Sequence, residues 1–275
     1  LQEVAGPDGL GSSPAAAALS DASGPDRAFI DLHCHTSASF DSLAAPAVQV
    51  RAAGARGLTH LAITDHDRID GALEAREAAA RGAPGLTVLI GQEIRTTAGD
   101  MIGVFLRERV PPGLTPAAAI ATVRDQGGLI GIAHPFDRFR GSLGKEGAAG
   151  SAFEALASEV DWIEAWNARL IFGDGNARAA ELAARLGVAG VAVSDAHTPF
   201  EVGVAATVVG GDPSTPDALK AALAGGLPAA VARGLAKKPV VVVELSSTVD
   251  PVAKLSTGEA RAGAEPTRAT RADES

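Results

Sequence analysis

The amino-acid sequence predicts an α/β barrel, and two regularities along the chain support this prediction. Short apolar segments of β-strand character alternate about seven times with helical segments rich in alanine, leucine and arginine. Such alternation is typical of βα units around a parallel sheet. Polar clusters follow the strand segments at their carboxyl ends, which meet at one rim of a barrel, where enzyme sites are built.

The predicted strands and helices follow one another from residue 28 onward. The strand segments are, in order, AFIDLH, LTHLAIT, LTVLIG, MIGVFL, LIGIAH, VDWIEAW and GVAVSD, with a weaker AATVVG after them. Helices are predicted at residues 47–55, 72–80, 116–125 and 176–186, and several of them start with proline or end near glycine. Residues 217–223 and the segment PVVVVEL are further candidate elements.

The chain of 275 residues fits one barrel domain with a flexible segment at each end. Barrels of this kind take about 200–250 residues. Residues 1–26 are rich in Ala, Gly, Ser and Pro and resemble no secretory signal, so we predict a flexible leader. Residues 246–275 have few large apolar side chains and are predicted to be disordered. The barrel domain is therefore predicted at residues 27–245.

Composition limits the partners of the protein. No apolar run approaches the roughly 18 residues of a membrane span, so no membrane association is expected. A net charge of -9 argues against a broad basic surface, and hence against binding of double-stranded DNA. A small phosphorylated substrate or a short single-stranded nucleic acid remains possible. The single cysteine, Cys34, excludes a Cys-rich zinc site and fits a reducing compartment, so we predict a cytoplasmic location.

Two of the six histidines, His33 and His35, are separated by one residue in FIDLHCHTSASFDS. In a strand, side chains two residues apart point to the same face, so this spacing can chelate a metal ion. Half-buried histidines bonded to backbone carbonyls are the alternative for an isolated pair. Five histidines lie in the polar clusters, whereas His60 precedes the apolar part of its strand, where a structural or solvent-facing role is expected.

Taken together, the polar clusters supply five imidazoles and two carboxylates. These candidate ligands are His33, His35, His66, Glu93, His134, Asp195 and His197. The mixture suits Mn²⁺, Zn²⁺ or Fe rather than Mg²⁺, and it exceeds what one ion needs. Two or three neighbouring divalent ions would clamp a phosphoryl oxygen and lower the pKa of a bound water. The sequence therefore points to hydrolysis.

The motifs DLHCH, TDHD, GQE, AHPFD and SDAH, in this order, resemble those of the PHP (polymerase and histidinol phosphatase) superfamily of metal-dependent phosphoesterases. The resemblance extends from about residue 29 to residue 209. It implies a distorted seven-stranded βα barrel with two or three ions. It also implies that His33, His35 and Asp195 bind the first ion and that Glu93 bridges to the second.

The resemblance further assigns His134 to the second ion and both His66 and His197 to the third. Two positions depart from the pattern of many relatives. An acidic residue is common where this chain has Phe40, and we expect the next residue, Asp41, to supply the carboxylate of the third ion. A histidine is common where this chain has Asp100, which can replace it as a ligand or weaken the second site.

The predicted reaction is attack of a metal-bound hydroxide on phosphorus, with a water or His197 protonating the leaving group. Asp65 is expected to orient the ring of His66 through its free N–H. Arg138, Arg140 and Arg68 are candidates to bind the substrate phosphate, although solvated surface arginines are the simpler alternative for each. Asn167 is a candidate donor to the substrate or a residue that fixes a loop.

Two other functions compete with this interpretation. An amidohydrolase-type barrel also opens with two histidines, but its binuclear members often use a carboxylated lysine as a bridge. All lysines of this chain lie outside the predicted strand ends: Lys145, Lys220, Lys237, Lys238 and Lys254. The other alternative is a non-catalytic metal-binding barrel. Structural metal sites are usually closed, and the candidate ligands here are too many for one closed site.

Overall fold

The computed structural model describes residues 27–144, 150–224, 229–232 and 241–244. The predicted leader at 1–26 and the predicted tail at 246–275 lie outside the described residues.

The described strands form one mixed sheet. They are β1 (Arg27–Asp31), β2 (His60–Ile63), β3 (Thr87–Arg95), β4 (Asp100–Val104), β5 (Leu129–Ile132), β6 (Trp162–Asn167), β7 (Ala189–Val193), β8 (Ala205–Gly210), β9 (Ala229–Ala232) and β10 (Val241–Glu244). Their order across the sheet is β10-β9-β8-β1-β2-β3-β4-β5-β6-β7. The predicted α/β barrel is confirmed, and the described sheet has more strands than the seven expected.

The sheet curves until its first and last barrel strands meet. The backbone N–H of His35 donates to the carbonyl of Ala196 at 2.8 Å, beyond the ends of β1 and β7. The hydroxyl of Thr207 on β8 accepts from the N–H of Ala192 on β7 at 2.9 Å and lies 3.0 Å from its carbonyl oxygen. These contacts bring β7 beside β1 and β8, so that β1 to β8 form a nearly closed barrel.

Strand directions differ from the parallel sheet that the sequence predicts. Strands β1 to β3 are parallel, and so are β5 to β7, but β4 runs antiparallel to β3 and β5. The short connection between Arg95 and Asp100 explains this, because a parallel crossover needs a dozen or more residues. The reversal places the first residue of β4, Asp100, at the rim where the neighbouring parallel strands end.

Six helices are present in the described ranges: α1 (Pro46–Ala55), α2 (Asp70–Gly82), α3 (Pro116–Asp125), α4 (Ser151–Ala157), α5 (Gly175–Leu186) and α6 (Pro216–Ala224). The four predicted helices correspond to α1, α2, α3 and α5. Helix α3 begins at Pro116, and the hydroxyl of Thr115 accepts the N–H of Ala118 at 3.3 Å, a typical N-cap. Within the described residues, no helix has the length and apolar character needed to cross a membrane.

Successive residues of the barrel strands alternate between two apolar clusters. On β2, for example, Leu61 and Ile63 pack with helix residues such as Ala72 and Ala75, whereas Ala62 belongs to a second cluster. That second cluster contains residues of opposite strands, including Ile30, Leu89, Ile102, Trp162 and Val191. It therefore fills the barrel, and the first cluster joins the strands to the surrounding helices. Both clusters give the rim above them a rigid base.

Candidate metal centre

All nine predicted metal ligands gather at one rim of the barrel. His33 and His35 follow β1, His66 follows β2, His134 follows β5, and both Asp195 and His197 follow β7. Glu93 lies on β3 and Asp100 opens the antiparallel β4. Asp41 belongs to the loop after the two histidines of β1. This rim is the carboxyl-terminal end of the parallel strands, as the sequence predicts.

Potential ligand atoms form three groups, within each of which they lie no more than 4.8 Å apart. The groups are His33, His35 and Asp195; Glu93, Asp100 and His134; and His35, Asp41, His66 and His197. The first two groups consist of buried residues, whereas Asp41 and His66 of the third are partly accessible. A ligand from solvent can therefore approach the centre on the side of the third group.

Glu93 joins the three groups through its two carboxylate oxygens. Its Oε2 lies 3.2 Å from Nε2 of His33 and 3.2 Å from Nε2 of His35. Its Oε1 lies 3.1 Å from Nε2 of His134. The same Oε2 is 3.3 Å from Nδ1 of His66. A carboxylate in this central position would be the residue to bridge neighbouring ions if two were bound.

Hydrogen bonds behind the rings fix which nitrogen faces the centre. Nδ1 of His33 lies 2.6 Å from Oε1 of Glu164, and Nδ1 of His197 lies 3.0 Å from the backbone carbonyl of Asp195. An ionised carboxylate and a carbonyl only accept, so each Nδ1 carries the proton. In the neutral form of either ring the lone pair is then on Nε2, which points into the centre, as metal ligation requires.

The third group contains a further indication of a cation. Asp41 Oδ2 lies 2.9 Å from Nε2 of His197 and 3.3 Å from Nε2 of His66. The other nitrogen of His66, Nδ1, is buried and makes no hydrogen bond within the described residues, although Oε2 of Glu93 lies 3.3 Å away. The ring of Phe40 stacks on that of His66 with centroids 4.9 Å apart. Asp41 therefore points toward the two histidines His66 and His197, whereas Phe40 covers the outer face of the His66 ring.

Electrostatic coupling keeps the central carboxylates ionised. Burial would raise the pKa of Glu93, but His33, His134 and His35 hold it well below its usual value. Burial likewise opposes the lowered pKa of Asp195, which His33, His35 and Arg140 cause. Asp100 differs, because burial and the nearby charge of Glu93 raise its pKa to about 6.

The donor set fits divalent metal ions. Nε2 of His33 faces two carboxylates, Glu93 at 3.2 Å and Asp195 at 3.5 Å. Burial lowers the pKa of His33, but Asp195, Glu164 and Glu93 raise it well above its usual value, so this nitrogen holds either a proton or a cation. Lone pairs facing carboxylates repel one another unless a cation or a proton lies between them. The nitrogen and oxygen donors suit Mn²⁺, Zn²⁺ or Fe²⁺. The unsatisfied Nδ1 of His66 also gains a partner if an ion is bound there.

Two buried residues hydrogen-bond to the candidate ligands on the side away from the centre, and the first of them was not predicted from the sequence. Glu164 on β6 contacts Nδ1 of His33 and accepts the backbone N–H of His134 at 2.9 Å. Asn167 donates to Glu164 Oε2 at 2.9 Å and to Asp195 Oδ2 at 3.0 Å. A carboxylate within the apolar strand WIEAWN is costly to bury without a partner, and this signal could have identified Glu164.

Arg140 also reaches the centre, since its guanidinium donates to Oδ2 of Asp195 and, at 2.5 Å, to Asp137. Arg138, the other arginine of this loop, is exposed and lines a cavity of about 130 Å³ with Phe139 and Arg169. Within the described residues, the loop thus sends one arginine inward and one outward. Oδ2 of Asp195 is occupied by donors, which leaves Oδ1 directed at His33 and His35.

Two other predicted site residues have partners that the sequence did not reveal. Asp65 accepts the N–H of Thr36 at 2.6 Å and its hydroxyl at 2.7 Å, so it holds the loop after His35. No hydrogen bond joins it to the ring of His66 in the described structure. Arg68 donates with Nε and Nη2 to the carboxylate of Asp70, at 2.8 and 2.5 Å, on the surface.

Comparisons with known proteins agree with this geometry. The family model described as "PHP domain" matches residues 31–160, and the model described as "PHP-associated" matches residues 173–226. The uncharacterized protein MJ1587 of Methanocaldococcus jannaschii is 34% identical over 148 residues, which are 50% of this chain and 81% of that protein. The chain belongs to the PHP family.

Solved structures of more distant proteins show the same fold. A two-domain protein from Bacteroides vulgatus that contains a predicted PHP-like metal-dependent phosphoesterase has a TM-score of 0.60 and 21% identity, over 74% of this chain and 64% of that one. The lesion-specific endonuclease PfuEndoQ from Pyrococcus furiosus has a TM-score of 0.56 and 18% identity, over 72% and 56%. Our PHP chain spans less than two thirds of either protein.

Proposed function

We propose that this PHP protein is a metal-dependent phosphoesterase that hydrolyses a phosphate ester of a small molecule, a nucleotide or a short oligonucleotide. The observation that carries the proposal is the position of Glu93, whose two oxygens approach His33, His35 and His134 within 3.2 Å. One carboxylate shared by several histidines suits adjacent ions. Two or three such ions would supply polarisation of the phosphoryl oxygens and a lower pKa for an attacking water.

Accessibility defines where the phosphate ester would enter. The side chains of His33 and His35 are fully buried, whereas those of Asp41 and His66 are 31% and 15% exposed. A phosphoryl group arriving from solvent would therefore meet the third group first. The two buried groups beneath it exclude bulk water, and their histidines keep the carboxylates ionised. Exclusion of water strengthens the electrostatic effect of these side chains on the reacting group.

His197 can play either role that the sequence suggests, depending on its protonation. Its Nδ1 holds a proton for the carbonyl of Asp195, so the neutral ring presents a lone pair on Nε2. A second proton on Nε2 would be stabilised by Asp41, 2.9 Å away, and could pass to a leaving alkoxide. The neutral form suits a ligand and the charged form suits a general acid. Asp65 supports the loop that carries Asp41.

The structure favours a phosphoesterase over the amidohydrolase alternative. The one lysine in the described ranges, Lys220, lies on α6 and approaches Asp161 at 3.7 Å, just before the amino-terminal end of β6. Glu93 is the candidate for the bridging position instead. A carboxylate bridge and many histidines are compatible with phosphoryl chemistry on two or three ions.

The decisive experiment measures phosphate release from phosphomonoesters, nucleotides and short oligonucleotides. The protein would be assayed with Mn²⁺ or Zn²⁺ and, as a control, with excess chelator, while bound metal is counted by elemental analysis. We expect two or three ions per chain and turnover that the chelator abolishes. Metal-loaded protein that releases no phosphate would contradict the proposal and favour the amide-hydrolysing or non-catalytic alternative.

The partners follow from the same proposal. The net charge of -9 disfavours an extended nucleic-acid surface, so we propose a small phosphorylated substrate or a short single strand rather than double-stranded DNA. A cytoplasmic location remains a prediction from the single cysteine, Cys34, which is buried.

A further inference from the structure

A cavity of about 560 Å³ opens beside the accessible edge of the metal centre. His66, a predicted ligand, forms part of its wall, and Phe40 forms another part. Three arginines, Arg68, Arg95 and Arg109, also line it. Its volume lies in the range of about 300–1,000 Å³ that is usual for small-molecule sites. A substrate whose phosphoryl group reaches the centre would therefore extend into this cavity.

Arg95 and Arg109 are held in the cavity by one residue, Asp67. The carboxylate of Asp67 accepts the backbone N–H of Arg95 at 3.0 Å and pairs with its side-chain Nε. The backbone carbonyl of Asp67 accepts Nε of Arg109 at 2.5 Å. Asp67 is buried and has a φ of 53°, a left-handed conformation that is uncommon outside glycine. Local backbone strain of this kind clusters at functional sites.

The terminal nitrogens of these two arginines are available to a ligand. In the part of the chain that the structure describes, Nη1 and Nη2 of Arg95 and Arg109 make no hydrogen bond. Arg68 differs, because the carboxylate of Asp70 binds both its Nε and its Nη2. Available guanidinium donors in an otherwise acidic protein favour an anion, since their planar geometry matches carboxylate and phosphate oxygens.

We propose that Arg95 and Arg109 bind a second anionic group of the substrate, such as a carboxylate or another phosphate, while the scissile phosphate occupies the metal centre. This inference rests on the proposed phosphoesterase function and narrows its substrate class to phosphate esters that carry a second negative charge. Arg95 and Arg109 are then specificity-determining residues, positioned by Asp67.

Binding of non-hydrolysable phosphonates tests the subsite without turnover. Mn²⁺-loaded protein would be titrated calorimetrically with 3-phosphonopropionate and with propylphosphonate, which lacks the carboxylate. A longer pair, 4-phosphonobutyrate and butylphosphonate, allows for a greater distance between the two anions. We expect about tenfold tighter binding of one carboxylated member, since one hydrogen bond to a charged group is worth about that factor.

Variants separate the subsite from general effects of charge. Arg109→Ala and Arg95→Ala should lose the preference for the carboxylated member and retain the affinity for the simple phosphonate. Arg107→Ala is the matched control, because Arg107 is exposed in the same loop and does not line the cavity. If the wild-type protein shows no preference at either length, or Arg107→Ala loses it as Arg109→Ala does, the subsite is refuted.

Phosphate release, measured in parallel, tests the proposed phosphoesterase function separately from the subsite. A preference that only Arg95→Ala and Arg109→Ala abolish supports the subsite even if no ester is cleaved, and in that case the phosphoesterase proposal alone fails. Turnover of phosphate esters together with equal binding of both phosphonates refutes the subsite and leaves the phosphoesterase proposal standing.

Discussion

His60 and His134 are both buried histidines at strand ends, but they lie at opposite rims of the barrel. His60 opens β2, and its two nitrogens approach the hydroxyls of Thr59 at 2.9 Å and Ser214 at 3.0 Å. His134 follows β5, and its Nε2 faces the ionised Glu93 at 3.1 Å. Hydroxyls can donate or accept, so they satisfy a neutral ring, and the carboxylate of Asp212, 3.2 Å from Nε2 of His60, is exposed and screened by water. Glu93 is buried instead, so a lone pair that faces it requires a cation or a proton.

The backbone differs between the two rims as well. His60 lies within a regular strand, whereas His134 and Asp195 have φ values of 25° and 52°. Non-glycine residues in this region cost of order 1–3 kcal/mol and persist where the surrounding structure holds them. At His134 the surrounding structure includes Glu164, which accepts the backbone N–H of His134. Burial therefore does not identify a functional histidine, but its partners and its backbone conformation do.

The largest effect should come from the residue shared by the three groups. We expect Glu93→Gln to lower phosphate release at least about a hundredfold and to reduce the number of bound ions, because losing even outer partners of metal ligands costs about 10–100-fold. His60→Gln is the matched control at the opposite rim and should retain activity and metal content. Full turnover of Glu93→Gln in a folded protein would refute the bridging role.

A smaller effect on metal binding is expected from substitution of Glu164, which contacts the candidate ligands on the side away from the centre. Glu164→Gln removes the charge that holds the proton on Nδ1 of His33, so metal affinity should fall by about tenfold while the fold is retained. Competition with a fluorescent chelator would measure this change. Glu154→Gln provides the control, since Glu154 pairs with Arg185 on the surface. Equal affinities of the two variants would assign Glu164 a packing role only.

Much of the fold and the set of candidate ligands follow from the sequence, because both depend on local patterns. Strand and helix periodicity gave the order of the elements, and the repeated polar residues after strands gave the rim. The direction of β4 was missed, because the apolar pattern of a strand is the same in both orientations. The short connection before β4, with no predicted helix in it, was the sequence signal for the reversal. Its reversal explains why Asp100, which precedes its strand, lies at the same rim as residues that follow theirs.

The residues that hydrogen-bond to the candidate ligands could be predicted less well from the sequence. Glu164 is separated from His33 by 131 positions, and only the closed barrel brings the two side chains to 2.6 Å. Asp65 and Arg68 were interpreted from their nearness to His66 along the chain, yet their hydrogen bonds go to Thr36 and Asp70. Adjacency in sequence therefore predicts which loop a residue belongs to, but not which atom its side chain contacts.

The smallest expected effect concerns the opposite rim and has a defined sign. Burial lowers the pKa of His60, and Asp212, 3.2 Å away, offsets this only in part. The unfolded chain therefore binds a proton at this residue more readily than the folded protein does. The stabilisation that comes from keeping His60 neutral is complete above about pH 6.5, the pKa of histidine in the unfolded chain. It is lost as the pH falls through the lowered pKa that His60 has in the folded protein.

Urea unfolding of the wild-type protein and of His60→Gln, each at pH 7.5 and at pH 5.5 with chelator present, would measure this contribution. The wild-type protein should lose more stability than the variant between the two pH values, because glutamine does not titrate. Protonation of the metal centre affects both proteins and cancels in the difference, since distant sites contribute additively. A variant that loses as much stability as the wild type would show that His60 keeps its ordinary pKa, and that the hydroxyls of Thr59 and Ser214 serve its charged form as well as its neutral one.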